Sequence, residues 1–171
     1  RSAGVALVTV MVMAITGCAA PTPPAANLSP AAQFLDGLAD VCGQAYAGRI
    51  VANEPPQPND AFEGRTLIIH VRACEPGRVL VPFHVGEDRS RTFVVTLIAD
   101  RLRLKHDHRH QDGTSDVLTM YGGESTAAGT ATRQEFPVDE ESKALFTREK
   151  REASNTNTWA MELHPGRMFA Y

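Results

Sequence analysis

Half of the chain's six histidines fall in one run, Lys105-His106-Asp107-His108-Arg109-His110-Gln111-Asp112-Gly113, at alternate positions. On an extended strand, where side chains alternate, the three imidazoles would share one face, with about 6 to 7 Å between successive Cα atoms. Imidazoles aimed the same way can do three things. His106, His108 and His110, or the first two with Asp112, can hold a divalent metal, and a metal-dependent enzyme would follow from that. With Arg91 and Tyr121 they can form the polar mouth of an apolar cavity and hold the head of a small amphipathic ligand. Or they can satisfy one another, Asp112 and backbone groups in a rigid corner, with Asp112 and Gly113 serving only the turn. No HExxH, phosphate loop, G-x-S-x-G elbow or zinc-finger spacing accompanies them.

Strands must position this run. Arg65–Cys74, Val79–Val85, Arg91–Ile98 and Arg101–His108 alternate apolar and polar residues and are joined by short links, which predicts antiparallel neighbours. A two-residue turn at Ala99-Asp100 pairs Ile98 with Arg101, Val95 with Leu104 and Phe93 with His106. A five-residue loop from Gly86 to Ser90 would pair Val85 with Arg91, Phe83 with Phe93 and Val79 with Leu97. The first hairpin pairs Leu67 with Val85 and Ile69 with Phe83. One apolar face then carries Leu67, Ile69, Phe83, Phe93, Val95 and Leu104, and it turns polar at His106, His108 and Arg91.

Other elements frame the sheet. Ser29 as N-cap, Pro30 at the first helical position and Phe34, Leu35, Leu38, Val41, Cys42 and Ala45 at helical spacing predict a helix ending near Gly48. Pro55, Pro56 and Pro58 make 53–60 an irregular loop. Further strands are expected at 117–121, 130–136, 158–163 and 167–171, and a short helix over 139–148 with acidic residues at its positive end. Gly122-Gly123 reads as a turn or bulge, and Trp159 and Phe169 as core.

The expected fold class is mainly β: an antiparallel meander closing into a barrel or half-barrel, with a sandwich as the other solution. It resembles the lipocalin-like barrels of the calycin group in fold only, since the Gly-x-Trp of true lipocalins is absent. The run HDHRHQDGTSDVLTMYGG, 106–123, also resembles a stretch in uncharacterised secreted proteins of proteobacteria.

A second chemistry sits near the start. An apolar run from Ala3 to Ile15, preceded by Arg1, ends at Ile15-Thr16-Gly17-Cys18 and is followed by a Pro/Ala-rich segment. It is too short to span a bilayer and reads as an export signal. The four residues resemble the lipobox of bacterial lipoproteins. That resemblance implies removal of residues 1–17, a diacylglycerol on the Cys18 thiol and an acylated new terminus, a firm anchor because several chains bury at about 0.8 kcal/mol per methylene. Ala19, rather than aspartate, implies the outer membrane, facing the periplasm. Residues 18–28 would be a tether and 29–171 one domain. Of the three cysteines, Cys42 and Cys74 remain as a pair in an oxidising compartment, and a disulfide between them is expected in place of two free thiols.

The chain has 171 residues and a net charge of −3 without long runs of either sign, so nucleic acid is not an expected partner. It begins at Arg1 and stops inside an apparent strand at Tyr171, as a fragment would. The reading these features favour is an envelope lipoprotein, bound to the membrane through its lipid, that binds a small amphipathic or apolar ligand rather than catalysing a reaction. The alternatives are a metal-dependent enzyme at the histidines and a structural or assembly lipoprotein with no small ligand.

Overall fold

The computed structural model of the protein describes residues 28–56, 60–126 and 129–171. The expected signal, Cys18 and the tether up to 27 lie outside the described residues.

Helix α1 (Pro30–Asp40) forms as its sequence requires: the Ser29 hydroxyl caps the Ala32 N–H, Pro30 opens the first turn, and Ala31, Phe34, Leu35 and Leu38 are buried. It stops earlier than the apolar spacing predicts. Gly43 adopts φ 85°, and β1 (Ala45–Gly48) follows, antiparallel to β2 (Leu67–His70). The reason is pairing: the Gly43 N–H bonds to the Val71 carbonyl and the Val71 N–H to the Gln44 carbonyl, so these backbone groups join the sheet instead of prolonging the helix.

The single strand expected over 65–74 is two. β2 and β3 (Ala73–Glu75) both pair with β4 (Arg78–Val85), but Ile69 faces Phe83 whereas Cys74 faces Val79, a slip of one residue. Because a one-residue slip moves side chains to the opposite face, Cys74 turns toward the buried side occupied by Val79. There it forms the disulfide with Cys42, with the Cα atoms 6.3 Å apart.

Between β4 and β5 (Asp88–Ile98) the expected five-residue loop is a two-residue turn at Gly86-Glu87, with Gly86 at φ 58° and Val85 opposite Asp88. An irregularity between Phe83 and Val85 then sets Phe83 opposite Arg91, Val81 opposite Phe93 and Val79 opposite Val95. The displacement from the expected register is two residues, so the faces are preserved. The β5–β6 register is as expected: Ile98 faces Arg101, Val95 faces Leu104, Phe93 faces His106, and β6 spans Arg101–His108.

β7 (Tyr121–Glu124) begins where the strand expected at 117–121 was to end, and pairs His106 with Tyr121. β8 (Arg133–Pro137), β9 (Thr158–His164) and β10 (Met168–Ala170) form a second sheet in the order β10-β9-β8. α2 (Glu140–Arg148), capped by Asp139, connects β8 to β9 through a 3-10 turn over Glu152–Thr156.

The first sheet runs β1-β2-β4-β5-β6-β7 with β3 beside β4. The two sheets meet at the Gly123–Val138 bridge, at a ring contact between Tyr46 and Phe169, 5.9 Å between centroids, and through Trp159 of β9 packed on His106 and Tyr121. The fold is thus mainly β and antiparallel, and among the described residues its ladders do not close into a barrel. Phe34 and Leu38 of α1 are fully buried with Phe93, Val95, Leu104, Phe136 and Met161. The face expected to line an open pocket, Ile69, Phe83, Phe93, Val95 and Leu104 with Leu67 packed against it, is therefore part of a filled core.

Candidate functional site

The alternation of β6 sends Leu104 and His106 inward, and His106 is the most buried of the histidines, 3% exposed. Its Nδ1 lies 3.0 Å from the carbonyl oxygen of Tyr121. A carbonyl only accepts, so Nδ1 carries the proton and Nε2 accepts from the Tyr171 hydroxyl at 2.6 Å. The ring stacks on Tyr121, 4.6 Å between centroids, and meets Phe93 edge-on. Burial lowers its pKa to about 4, so the imidazole is neutral near pH 7.

His108, two residues on, is half-buried, and its Nε2 is 3.0 Å from the Tyr121 hydroxyl. Burial, then the nearby Arg91 charge, lower its pKa; Asp116, Asp88 and Asp107 oppose this. His110 lies beyond the strand, exposed, beside Gln111 and Asp112 in a separate shallow depression. The three histidines do not converge. Both nitrogens of His106 are engaged, and among the described residues no group of three or more His, Cys, Asp or Glu could hold a metal ion. The metal site expected at His106, His108 and His110 is not assembled, because β6 carries the first ring into the core and ends before the third.

Arg91 faces His108 across the β5–β6 pair but turns to an ion pair with Asp88 and lays its guanidinium over Phe62, 5.6 Å from the ring centre. Phe83 and Phe93 stack on each other at 5.5 Å in the core, and Tyr171 lies 4.3 Å from Phe93. Tyr171 is 45% exposed as a whole residue, yet its ring and hydroxyl reach inward to Phe93 and His106. Of the residues expected at the polar mouth, His108 and Tyr121 border one open space together, and His110 lies apart from them.

That space is a cleft of about 300 Å³ lined by His108, Asp116, Leu118, Tyr121, Phe146, Arg151, Ser154, Asn157 and Trp159. Its walls come from four places: the end of β6, the 116–121 segment, α2 with the 3-10 turn after it, and the start of β9. Tyr121 is its aromatic hub, with Phe146 at 5.2 Å and Trp159 at 5.8 Å.

A buried polar joint holds α2 in place. Lys105, 8% exposed, reaches Asp139 and Glu141, each at 2.9 Å. The Ser142 hydroxyl accepts the Gly122 N–H at 2.8 Å and donates to the Gly122 carbonyl at 3.1 Å. A Cβ on Gly122 would run into the Leu104 carbonyl, and one on Gly123 into the Pro137 carbonyl, so both glycines are required by close approach. With the N-terminal end of α2 fixed on β6 and β7, its Phe146 falls over Tyr121 and the chain brings Arg151 to the cleft rim.

Asp116, Leu118, Phe146, Arg151, Ser154, Asn157 and Trp159 escaped the sequence reading. Only Trp159, the single tryptophan, carried a signal, and its alternation with polar neighbours reads equally as core. Comparison with protein-family models, with curated proteins and with solved structures finds no match for the chain.

Proposed function

We propose that the protein is a lipid-anchored envelope lipoprotein that binds a small amphipathic ligand in the cleft around Tyr121. The observation that carries the ligand reading is the cleft itself. Three rings, Tyr121, Phe146 and Trp159, face a rim of His108, Asp116, Arg151, Ser154 and Asn157. An apolar wall with a few convergent polar groups is how small-molecule sites are built, and about 300 Å³ is at the lower end of their usual volume. The site differs from the pocket expected inside the sheet. It lies outside the core and retains only the polar pair His108 and Tyr121 from it.

The anchor rests on Ile15-Thr16-Gly17-Cys18, which resembles a lipobox, and the Cys42–Cys74 disulfide fits an oxidising compartment such as the periplasm. The half-barrel reading, with its calycin-like resemblance, is supported by the approach of the two sheets at both seams, Gly123 to Val138 and Tyr46 to Phe169.

Trp159 is the only tryptophan, so its emission reports the cleft directly. Titrating the full chain with 1-anilinonaphthalene-8-sulfonate should give saturable one-to-one quenching, abolished when Asn157→Phe or Leu118→Arg fills the cleft. Absence of saturable binding, or binding indifferent to both substitutions, would sink the ligand reading. Labelled palmitate should enter the wild-type chain expressed in a bacterium and not the Cys18→Ala variant. Equal labelling of the two would sink the anchor.

A further inference from the structure

We propose that the cleft selects an aromatic carboxylate, its ring against Tyr121, Phe146 and Trp159 and its carboxylate on Arg151. This deepens the ligand reading above and rests on it.

Arg151 is the one side chain of fixed positive charge in the lining, and among the described residues it makes no ion pair, unlike Arg148 one turn earlier, which is held by Glu149 at 2.9 Å. Its backbone N–H is already spent on the Phe146 carbonyl at 2.7 Å, which also covers that oxygen at the end of α2, where an anion would otherwise be repelled. The other charged group of the lining, Asp116, has a carboxylate oxygen engaged by the Leu118 N–H at 3.0 Å. The negative group thus has a backbone donor on one oxygen, and the positive group has no acidic partner among the described residues.

The rings set the shape of the ligand. Tyr121 meets Trp159 at 37° and Phe146 at 53°, so the wall is a set of inclined flat faces rather than a smooth tunnel. Flat faces at such angles suit a ring in stacked or edge-on contact, and a flexible acyl chain would leave gaps against them. Guanidinium and carboxylate match geometrically through paired N–H donors, which adds direction to the charge.

The test uses three probes of one shape, 4-ethylbenzoate, 4-ethylbenzamide and 4-ethylbenzylammonium, titrated into the full chain and followed by Trp159 emission. The carboxylate should bind about tenfold more tightly than the amide, as expected of one charge-assisted contact at a partly wet site. Arg151→Gln should bring the carboxylate down to the level of the amide, Arg151→Lys should keep part of the preference, and Arg148→Gln should leave it intact. If the amide binds as well as the carboxylate, if the ammonium binds best, or if the preference survives Arg151→Gln, the carboxylate inference is overturned while the cleft remains a binding site. If none of the three binds while 1-anilinonaphthalene-8-sulfonate still does, the carboxylate inference falls and the cleft remains a binding site; if that probe fails as well, both readings fall.

Discussion

The Nε2 of His106 accepts a hydrogen bond from the Tyr171 hydroxyl at 2.6 Å, and this contact ties the middle of the first sheet to the end of the second. With Nδ1 bonded to the Tyr121 carbonyl, the imidazole has no nitrogen to spare. A residue whose spacing suggests a metal ligand is instead a neutral crosslink within the core, and Tyr121, stacked on it, is held as the floor of the cleft.

His106 titrates near its usual 6.5 when unfolded and at about 4 when folded, so between those values the unfolded chain binds more protons. Stability should therefore be complete above pH 6.5 and fall as the pH drops toward 4, by about 3 kcal/mol over the whole window and about 2 between pH 7 and pH 5. His108 and His84, both lowered by burial first, add slope of the same sign. Urea denaturation at pH 7, 6 and 5 measures this, and His106→Gln should flatten most of the dependence. A wild-type midpoint that does not move from pH 7 to pH 5 would refute the crosslink as described.

Removing only the Tyr171 hydroxyl leaves the Nε2 of His106 without its donor. Tyr171→Phe should cost about 1 to 3 kcal/mol, the range for an orphaned buried acceptor, while keeping the ring packing. Chemical denaturation gives the number. A loss within error of zero would mean that water replaces the hydroxyl.

The joint under α2 predicts a contrast at one position. Asp139 caps the helix at the Ser142 N–H and also faces buried Lys105 at 2.9 Å. Asp139→Asn keeps a good cap and loses the charge, whereas Asp139→Ala loses both, so alanine should be the worse by about 1 kcal/mol. Burial opposes the ionised form of Asp139, but Ser142 and Lys105 together hold its pKa below the usual carboxylate value. Equal losses for the two variants, measured by thermal or urea unfolding, would show that the cap contributes nothing.

Gly123 is required by the close approach of the Pro137 carbonyl, whereas a Cβ at Gly48 meets nothing within 4 Å. Gly123→Ala should destabilise by about 1 to 3 kcal/mol and loosen the seam between the sheets, while Gly48→Ala should be near neutral. Hydrogen exchange at the Asp139 N–H, which bonds to Gly122, should quicken only in the former. Indistinguishable stabilities would contradict the packing at that seam.

The disulfide closes a separation of 32 residues and should contribute about 3 to 4 kcal/mol by restricting the unfolded chain. Unfolding with and without a phosphine reductant, and of Cys42→Ser with Cys74→Ser, measures it. A midpoint unchanged by reduction would leave the bond without a stabilising role.

How much of this was legible depended on distance along the chain. The β5–β6 register was readable because a two-residue turn at Ala99-Asp100 leaves no freedom in the pairing. The Ser29 and Asp139 caps were readable because a cap acts within three residues. The slip between β2 and β3 was not, since the alternation over 65–74 is unbroken and the slip is set by Val71 pairing back to Gln44 and by Cys74 reaching Cys42. The early end of α1 was hidden for the same reason: a partner 28 residues away, Val71, claims the Gly43 N–H.

The sequence by itself determined the mainly β character, the two helices and the inward face of β6, because periodicity, caps and turns are local. Tertiary structure decided what that face meets. Core volume had to be filled, and α1 with Tyr171 fills the space that alternation alone leaves looking like a pocket. Tertiary structure also decided where the open cleft lies, since Arg151, Phe146 and Trp159 come to Tyr121 only after the Lys105 joint and the close approach of Gly122 and Gly123 have docked α2 on the sheet. Contacts between residues far apart in sequence leave no period to read, so a site built from them emerges only when the packing is complete.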